Sequence, residues 1–188
     1  MGAVDGFLLT PGAGADSNQA TLVAIGDGLA PLPVHRMDFP YRVAGKKVPD
    51  RAPVLIDAVR RGVAEFAEVA GLAAERLALG GRSMGGRMCS MAVAEGLPAK
   101  ALVLLSYPLH PPGKPEKRRT DHFPDLDVPC LFVSGTKDPF GTPAEFDDAL
   151  AAIPGPVTMV CLDGQGHSPR NRETQIVGAI SDFFAGLA

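Results

Sequence analysis

Arg76-Leu77-Ala78-Leu79-Gly80-Gly81-Arg82-Ser83-Met84-Gly85-Gly86-Arg87 is the stretch that decides the fold of this chain. It opens on a short apolar run ending at Leu79. From Met84 to Glu95 it continues as a helix-like pattern of small residues and Met. Between the two lies a turn with paired glycines on either side of Ser83. Glycine lets backbones approach closely, so the spacing predicts a strand, a sharp turn and a helix packed hard against that strand. Working outward, similar apolar runs recur at Gly6–Thr10, Leu32–Met37, Ala101–Ser106, Pro129–Ser134 and Val157–Leu162. Most are continuous rather than alternating, as in strands of a parallel sheet buried on both faces. Helical patterns separate them. Residues 17–29 place Leu22, Ile25 and Leu29 on one face, with Ser17 as the expected N-cap. Residues 52–70 repeat Leu55, Val59, Val63, Phe66 and Ala70 at helical spacing. Residues 143–153 begin with Pro at the first turn, and residues 172–187 repeat Ile176, Ile180, Phe183 and Leu187. Strand alternating with helix predicts an α/β fold with right-handed crossovers, as one domain over residues 1–188.

Gly81-Arg82-Ser83-Met84-Gly85 also matches G-x-S-x-G, the turn that exposes a serine at the top of a strand. A serine hydroxyl is a weak nucleophile and needs a base. The chain has four His. His167 follows the last apolar run in Leu-Asp-Gly-Gln-Gly-His and is the expected base. His35 lies inside an apolar run, and His110 and His122 follow the fourth run. An acid belongs between Ser83 and His167. Asp138 ends the turn after the run at 129–134 and is the favoured residue, with Asp163 as its rival. Ser83, Asp138 and His167 each follow a different strand, at the edge where open α/β sheets bind ligands. Oxyanion donors are expected at the Met84 N–H, which starts a helix, and at the Ala13 N–H in Thr10-Pro11-Gly12-Ala13-Gly14-Ala15, with Gly12 next in line. The Gly-x-Gly of that loop has Ser17 where a dinucleotide fingerprint has its third glycine, so no cofactor is expected.

Composition sets the bounds. Gly 22 and Pro 18 make up about a fifth of the 188 residues, yet 46% of the chain is hydrophobic, so it is not disordered. A net charge of −3 argues against a nucleic-acid partner. Apolar stretches are too short to span a bilayer, and Met1-Gly2-Ala3-Val4-Asp5 carries no basic leader, so neither membrane insertion nor secretion is expected. Cys89, Cys130 and Cys161 are widely spaced in apolar runs. They read as buried, reduced thiols of a cytoplasmic protein, with no metal site. The long segment Tyr107 to Val128 is a poor helix and a poor strand. It carries Lys114, Lys117, Arg118 and Arg119, which together with Arg82 suggest a substrate bearing negative charge. Arg82, His110 and Lys114 are the candidate substrate contacts.

Across nearly its whole length the chain resembles α/β-hydrolases. More narrowly, it resembles the small cap-less group related to dienelactone hydrolases, which includes testis-expressed α/β-hydrolase-like proteins and bacterial counterparts. Pro-Gly-Ala-Gly-Ala at 11–15, Asp-Phe-Pro-Tyr-Arg at 38–42 and Gly-Gly-Arg-Ser-Met-Gly-Gly-Arg at 80–87 carry the likeness. Ser-Tyr-Pro-Leu-His-Pro-Pro-Gly-Lys-Pro at 106–115, Ser-Gly-Thr-Lys-Asp-Pro-Phe-Gly at 134–141 and Gly166-His167 continue it. The resemblance implies Ser83 as nucleophile, Asp138 as acid and His167 as base. Dienelactone hydrolases proper have cysteine where this chain has Ser83, and the group often has His-Gly where this chain has Pro11-Gly12. The expected fold is a three-layer sandwich of about six parallel strands in order 2-1-3-4-5-6, lacking the first two strands of the full hydrolase. The expected function is a serine hydrolase acting on a small acyl ester or thioester. A non-catalytic binding or assembly subunit and a small peptidase are the alternatives.

Overall fold

A computed structural model describes residues 3–188, so Met1 and Gly2, on which part of the expectation of no basic leader rested, lie outside the described residues. The chain runs β1 (Gly6–Thr10), α1 (Ala20–Gly28), β2 (Val34–Arg36), α2 (Pro40–Val43), α3 (Ala52–Ala70), β3 (Leu77–Arg82), α4 (Met84–Ala94), β4 (Ala101–Leu105), β5 (Cys130–Gly135), α5 (Pro143–Leu150), β6 (Val157–Leu162) and α6 (Glu173–Ala185). Short 3₁₀ turns cover Ala74–Arg76 and Phe123–Asp125. All six strands pair in parallel in the order β2-β1-β3-β4-β5-β6, as the sequence predicts.

Successive residues of a strand face opposite sides of the sheet, and here both sides are covered. Leu8, Leu79, Leu102, Leu104 and Phe132 pack with α3, α4 and α5. Phe7, Leu9, Val103, Leu105 and Val133 pack with Leu22 and Ile25 of α1 and Ile176 and Ile180 of α6. Continuous apolar runs are therefore what two buried faces require. Each fully buried Leu or Phe contributes about 1.5–3 kcal/mol of transfer free energy, which is why the sheet is the rigid frame for its loops. Among the described residues no helix is long and apolar enough to cross a membrane.

Several local expectations are corrected. Helix α1 starts at Ala20 with Gln19 at its N-cap position, not at Ser17. The Ser17 N–H and hydroxyl donate instead to the Asp38 carboxylate, at 2.6 and 2.9 Å. A carboxylate is the stronger acceptor, so the long-range pair displaces the local cap. Cys161 is exposed rather than buried, because β6 is an edge strand, whereas Cys89 and Cys130 are buried. Their desolvation pushes both thiols up to about 12. His35, on edge strand β2, is exposed and stacks on Phe66 with ring centroids 5.3 Å apart. The 107–128 segment is anchored: Tyr107, Leu109, Phe123 and Leu126 are buried, and the Tyr107 hydroxyl donates to the Arg119 carbonyl at 2.7 Å.

Helix α5 opens with a capping box. The Thr142 hydroxyl accepts from the Glu145 N–H, and the Glu145 carboxylate accepts from the Thr142 N–H at 2.8 Å and from the Thr142 hydroxyl at 2.8 Å. These bonds from Thr142, with a smaller contribution from His110, hold Glu145 down at about 2. A carboxyl depressed in the folded state stabilises fully above its ordinary value and loses that contribution as pH falls through the folded one. Thr142→Ala is therefore expected to cost about 1 kcal/mol at pH 7, lowering Tm by roughly 2–4 °C. The gap between the two melts should narrow, without closing, as pH drops from 4.5 towards about 2, because the variant loses the hydroxyl bond to the carboxylate but keeps the Thr142 N–H bond; a gap that does not change with pH would contradict the assignment.

Candidate active site

Strand β3 ends at Arg82, and Ser83 turns the chain into α4 with φ 52° and ψ −117°. A residue with a Cβ is strained there, and such strain persists only where the surroundings over-determine it. The surroundings are specific. The Ser83 N–H still donates to the Leu105 carbonyl at 2.8 Å, extending the β3–β4 ladder into the turn. A Cβ on Gly81 would sit 2.1 Å from Thr10 Oγ1, and one on Gly85 would sit 2.5 Å from the Pro11 carbonyl oxygen. The glycines thus let β3 and α4 press against β1, and Ser83 is left at the C-terminal edge of the sheet.

The loops after β5 and β6 bring two side chains to it. Ser83 Oγ lies 2.8 Å from His167 Nε2. His167 Nδ1 lies 3.0 and 2.8 Å from the two oxygens of Asp138. A carboxylate only accepts, so Nδ1 carries the proton and donates, leaving Nε2 to accept the serine hydroxyl. Asp138 is 1% exposed. It is held by the Phe140 N–H at 2.9 Å and the Ser134 hydroxyl at 3.4 Å. Phe140 also stacks on the His167 ring, with centroids 4.0 Å apart. The loop carrying His167 comes so close to β5 that a Cβ on Gly135 would lie 2.2 Å from the Gln165 carbonyl oxygen. Asp163 does not reach the imidazole; it accepts from the Thr136 hydroxyl at 3.4 Å.

The supporting residues Ser134, Gly135 and Phe140 lie in a stretch whose likeness to known hydrolases was legible, but nothing local in it marks their roles. Hydrogen bonding and stacking across loops give no periodic signal.

Neither expected oxyanion donor is spent. The N–H groups of Met84 and Ala13 make no hydrogen bond among the described residues. Gly12 passes close by, since a Cβ on it would lie 3.7 Å from Ser83 Cβ. Arg82 is not tied to a carboxylate. Its Nη2 donates to the His167 carbonyl at 2.7 Å and to Ser168 Oγ at 2.6 Å. Burial pushes the guanidinium below its ordinary value, partly offset by the charge of Asp138. Its face opens on a cavity of about 350 Å³ lined by Gln19, Thr21, Arg82, Ser168, Arg170 and Glu173. Two other candidates fare differently. His110 is buried, with Nδ1 on the Pro111 carbonyl at 2.9 Å and Nε2 on Glu145 at 3.1 Å. Both ring nitrogens face protein acceptors, which leaves none for a substrate. Lys114 is exposed and forms no ion pair among the described residues. No cluster of three His, Cys, Asp or Glu side chains suited to a metal occurs among the described residues.

A family model described as an alpha/beta hydrolase domain matches residues 4–178. Epoxide hydrolase A of Mycobacterium tuberculosis is 38% identical over 63 residues, covering 33% of this chain and only 20% of that protein. Est1E from Butyrivibrio proteoclasticus superposes with a TM-score of 0.78 at 16% identity, covering 98% of this chain and 88% of the other. Dienelactone hydrolase from Anabaena variabilis does so with a TM-score of 0.74 at 17% identity, covering 97% and 87%. At these identities the structural likeness shows a shared fold.

Proposed function

Because the chain belongs to the alpha/beta hydrolase domain family, we infer that it is a serine hydrolase cleaving an ester or thioester of a small acyl substrate. The observation that carries this reading is the 2.8 Å contact between Ser83 Oγ and His167 Nε2, with Asp138 behind it. Ser83 Oγ attacks the acyl carbonyl as His167 Nε2 takes the hydroxyl proton. Asp138 stabilises the imidazolium that forms. The tetrahedral oxyanion accepts hydrogen bonds from the Met84 and Ala13 N–H groups. Collapse breaks the bond to the leaving group, which receives the proton from His167. Water, deprotonated by the same nitrogen, then attacks the acyl-enzyme; the Ser83 Oγ–acyl bond breaks, Oγ takes the proton back from His167, and the acid leaves. A binding or assembly subunit would need none of this alignment. The free thiols, two of them buried, suit a reducing compartment, and we place the protein in the cytoplasm.

Arg82 narrows the substrate class. It is a partly buried guanidinium next to the nucleophile, hydrogen-bonded only to neutral acceptors and facing a cavity lined by one further cation, Arg170, and one acid, Glu173. A carboxylate on the substrate would supply the direct charge-assisted hydrogen bond that Arg82 lacks, and such a bond is worth about 1.5–3 kcal/mol. A carboxylate-bearing ester is expected to show kcat/KM roughly tenfold or more above a neutral ester of equal length, and Arg82→Lys is expected to blunt the difference. Equal rates on the two series would remove the preference. The hydrolase reading itself is tested by incubation with a fluorophosphonate and intact-mass analysis: one adduct, mapped to Ser83, is expected. An unlabelled protein that turns over no activated ester would refute it.

A further inference from the structure

The oxyanion donor assigned above to Ala13 sits on a loop, residues 11–19, that has little internal structure. Inside it the Ala15 N–H donates to the Gly12 carbonyl at 3.1 Å, and the Gln19 N–H to the Asp16 carbonyl at 3.0 Å. The Asn18 N–H also donates to the Asp16 carboxylate at 3.0 Å, and the remaining hydrogen bonds that hold the loop from outside come from residues 36–42. The Gly14 N–H donates to Tyr41 Oη at 3.2 Å. Asp38 takes both the N–H and the hydroxyl of Ser17. Arg36 Nη1 donates to the Ser17 carbonyl at 2.9 Å, and Arg42 Nη2 pairs with Asp16 at 3.3 Å. The grip is rigid because its base is in the core: Phe39 is 0% and Tyr41 1% exposed.

This grip fixes one peptide plane. The Gly12 carbonyl and the Ala13 N–H belong to the same trans peptide, so they point in opposite directions. With the Gly12 carbonyl turned inward to the Ala15 N–H, the Ala13 N–H points out of the turn, without a partner among the described residues. Gly14 follows directly with φ +75° and nothing within 4 Å of a would-be Cβ. A glycine there could swing to many conformations, and its N–H bond to Tyr41 is what restrains it.

We propose that Tyr41 and Asp38 are positioning residues, which preset the Gly12–Ala13 peptide so that its N–H is aimed before substrate arrives. The proposal rests on the hydrolase reading above and adds a role for the 38–42 segment, which touches neither Ser83, His167 nor Asp138 in the described hydrogen bonds. Preorganised donors stabilise a transition state because they need no reorientation as charge develops.

The test is Tyr41→Phe, which keeps the ring packing and removes only the acceptor for Gly14. Loss of a whole oxyanion donor costs about 10²–10³ in kcat, and loosening one is expected to cost roughly tenfold or more. KM should hold within about twofold and the pH profile should keep its shape, because the imidazole and its carboxylate are untouched. A merely structural role would instead move Tm while leaving kcat alone. Asp38→Asn, which keeps an acceptor for the Ser17 N–H, should stay nearer to wild type than Asp38→Ala. Amide exchange provides a readout independent of turnover: Gly14 should exchange at least about tenfold faster in Tyr41→Phe. A wild-type kcat in Tyr41→Phe overturns the proposal whatever the exchange shows. If the wild-type protein neither turns over nor labels, the hydrolase reading has failed on its own, and Gly14 exchange alone then decides whether the clamp exists.

Discussion

Ser83→Ala is expected to lower kcat/KM on an activated ester by roughly 10⁴- to 10⁶-fold and to abolish the fluorophosphonate adduct. The loss is large because His167 would keep its lone pair on Nε2 but have no hydroxyl to deprotonate. The variant should still fold. Alanine carries the same Cβ into the strained turn, so the backbone cost of φ 52° is unchanged, and the N–H bond to Leu105 does not involve the side chain. The stranded Nε2 is not a buried orphan, since the His167 side chain is 19% exposed and can bond water. Thermal stability is accordingly expected within about 1 kcal/mol of wild type. A rate within tenfold of wild type would place the nucleophile elsewhere.

Asp138→Asn should have the second-largest effect, a fall in kcat of about 10³- to 10⁴-fold with little change in KM. The replacement is nearly isosteric, and its amide oxygen can still accept from the Phe140 N–H. Its NH₂ would then face His167 Nδ1. Two donors cannot share that contact, so the imidazole would adopt the opposite tautomer and carry its proton on Nε2, where it cannot accept from Ser83. Because Asp138 is almost fully buried, water cannot relieve the mismatch. Steady-state kinetics at pH 7 with paired KM and kcat values provide the check. A loss below tenfold would assign the orienting role to another carboxylate, with Asp163 the first to examine.

Much of the candidate site was legible along the chain because the three side chains that the structure aligns are each announced locally. Ser83 lies between close-packing glycines, Asp138 ends a turn after an apolar run, and His167 does the same one strand later. Other features resist such reading. The Ser17 hydroxyl has an attractive local use as a helix cap, but Asp38, 21 residues away, takes it. His110 looked available beside a basic loop, yet Glu145, 35 residues on, occupies its Nε2. Arg82 sits next to the nucleophile in sequence, but its partners, the His167 carbonyl and Ser168, come from the other end of the chain. Cys161 lies in an apolar run like those of the inner strands, and only its place on an edge strand exposes it.

Local patterns alone determined that this chain forms six strands, all but the fourth and fifth separated by helices, and that a strained serine turn lies among them. Burial on both faces leaves continuous apolar runs, and a close strand–helix approach needs glycine at fixed offsets; both marks are written within a few residues. The tertiary structure decided which polar groups meet. The side chains joined at Ser83 lie 29 to 84 residues apart. The clamp on the Ala13 loop joins residues 19 to 27 apart, across the β1–β2 edge. Such pairings follow from strand order and register, and a hydrogen bond of about 3 Å between distant loops leaves no periodicity along the chain for a reader to find.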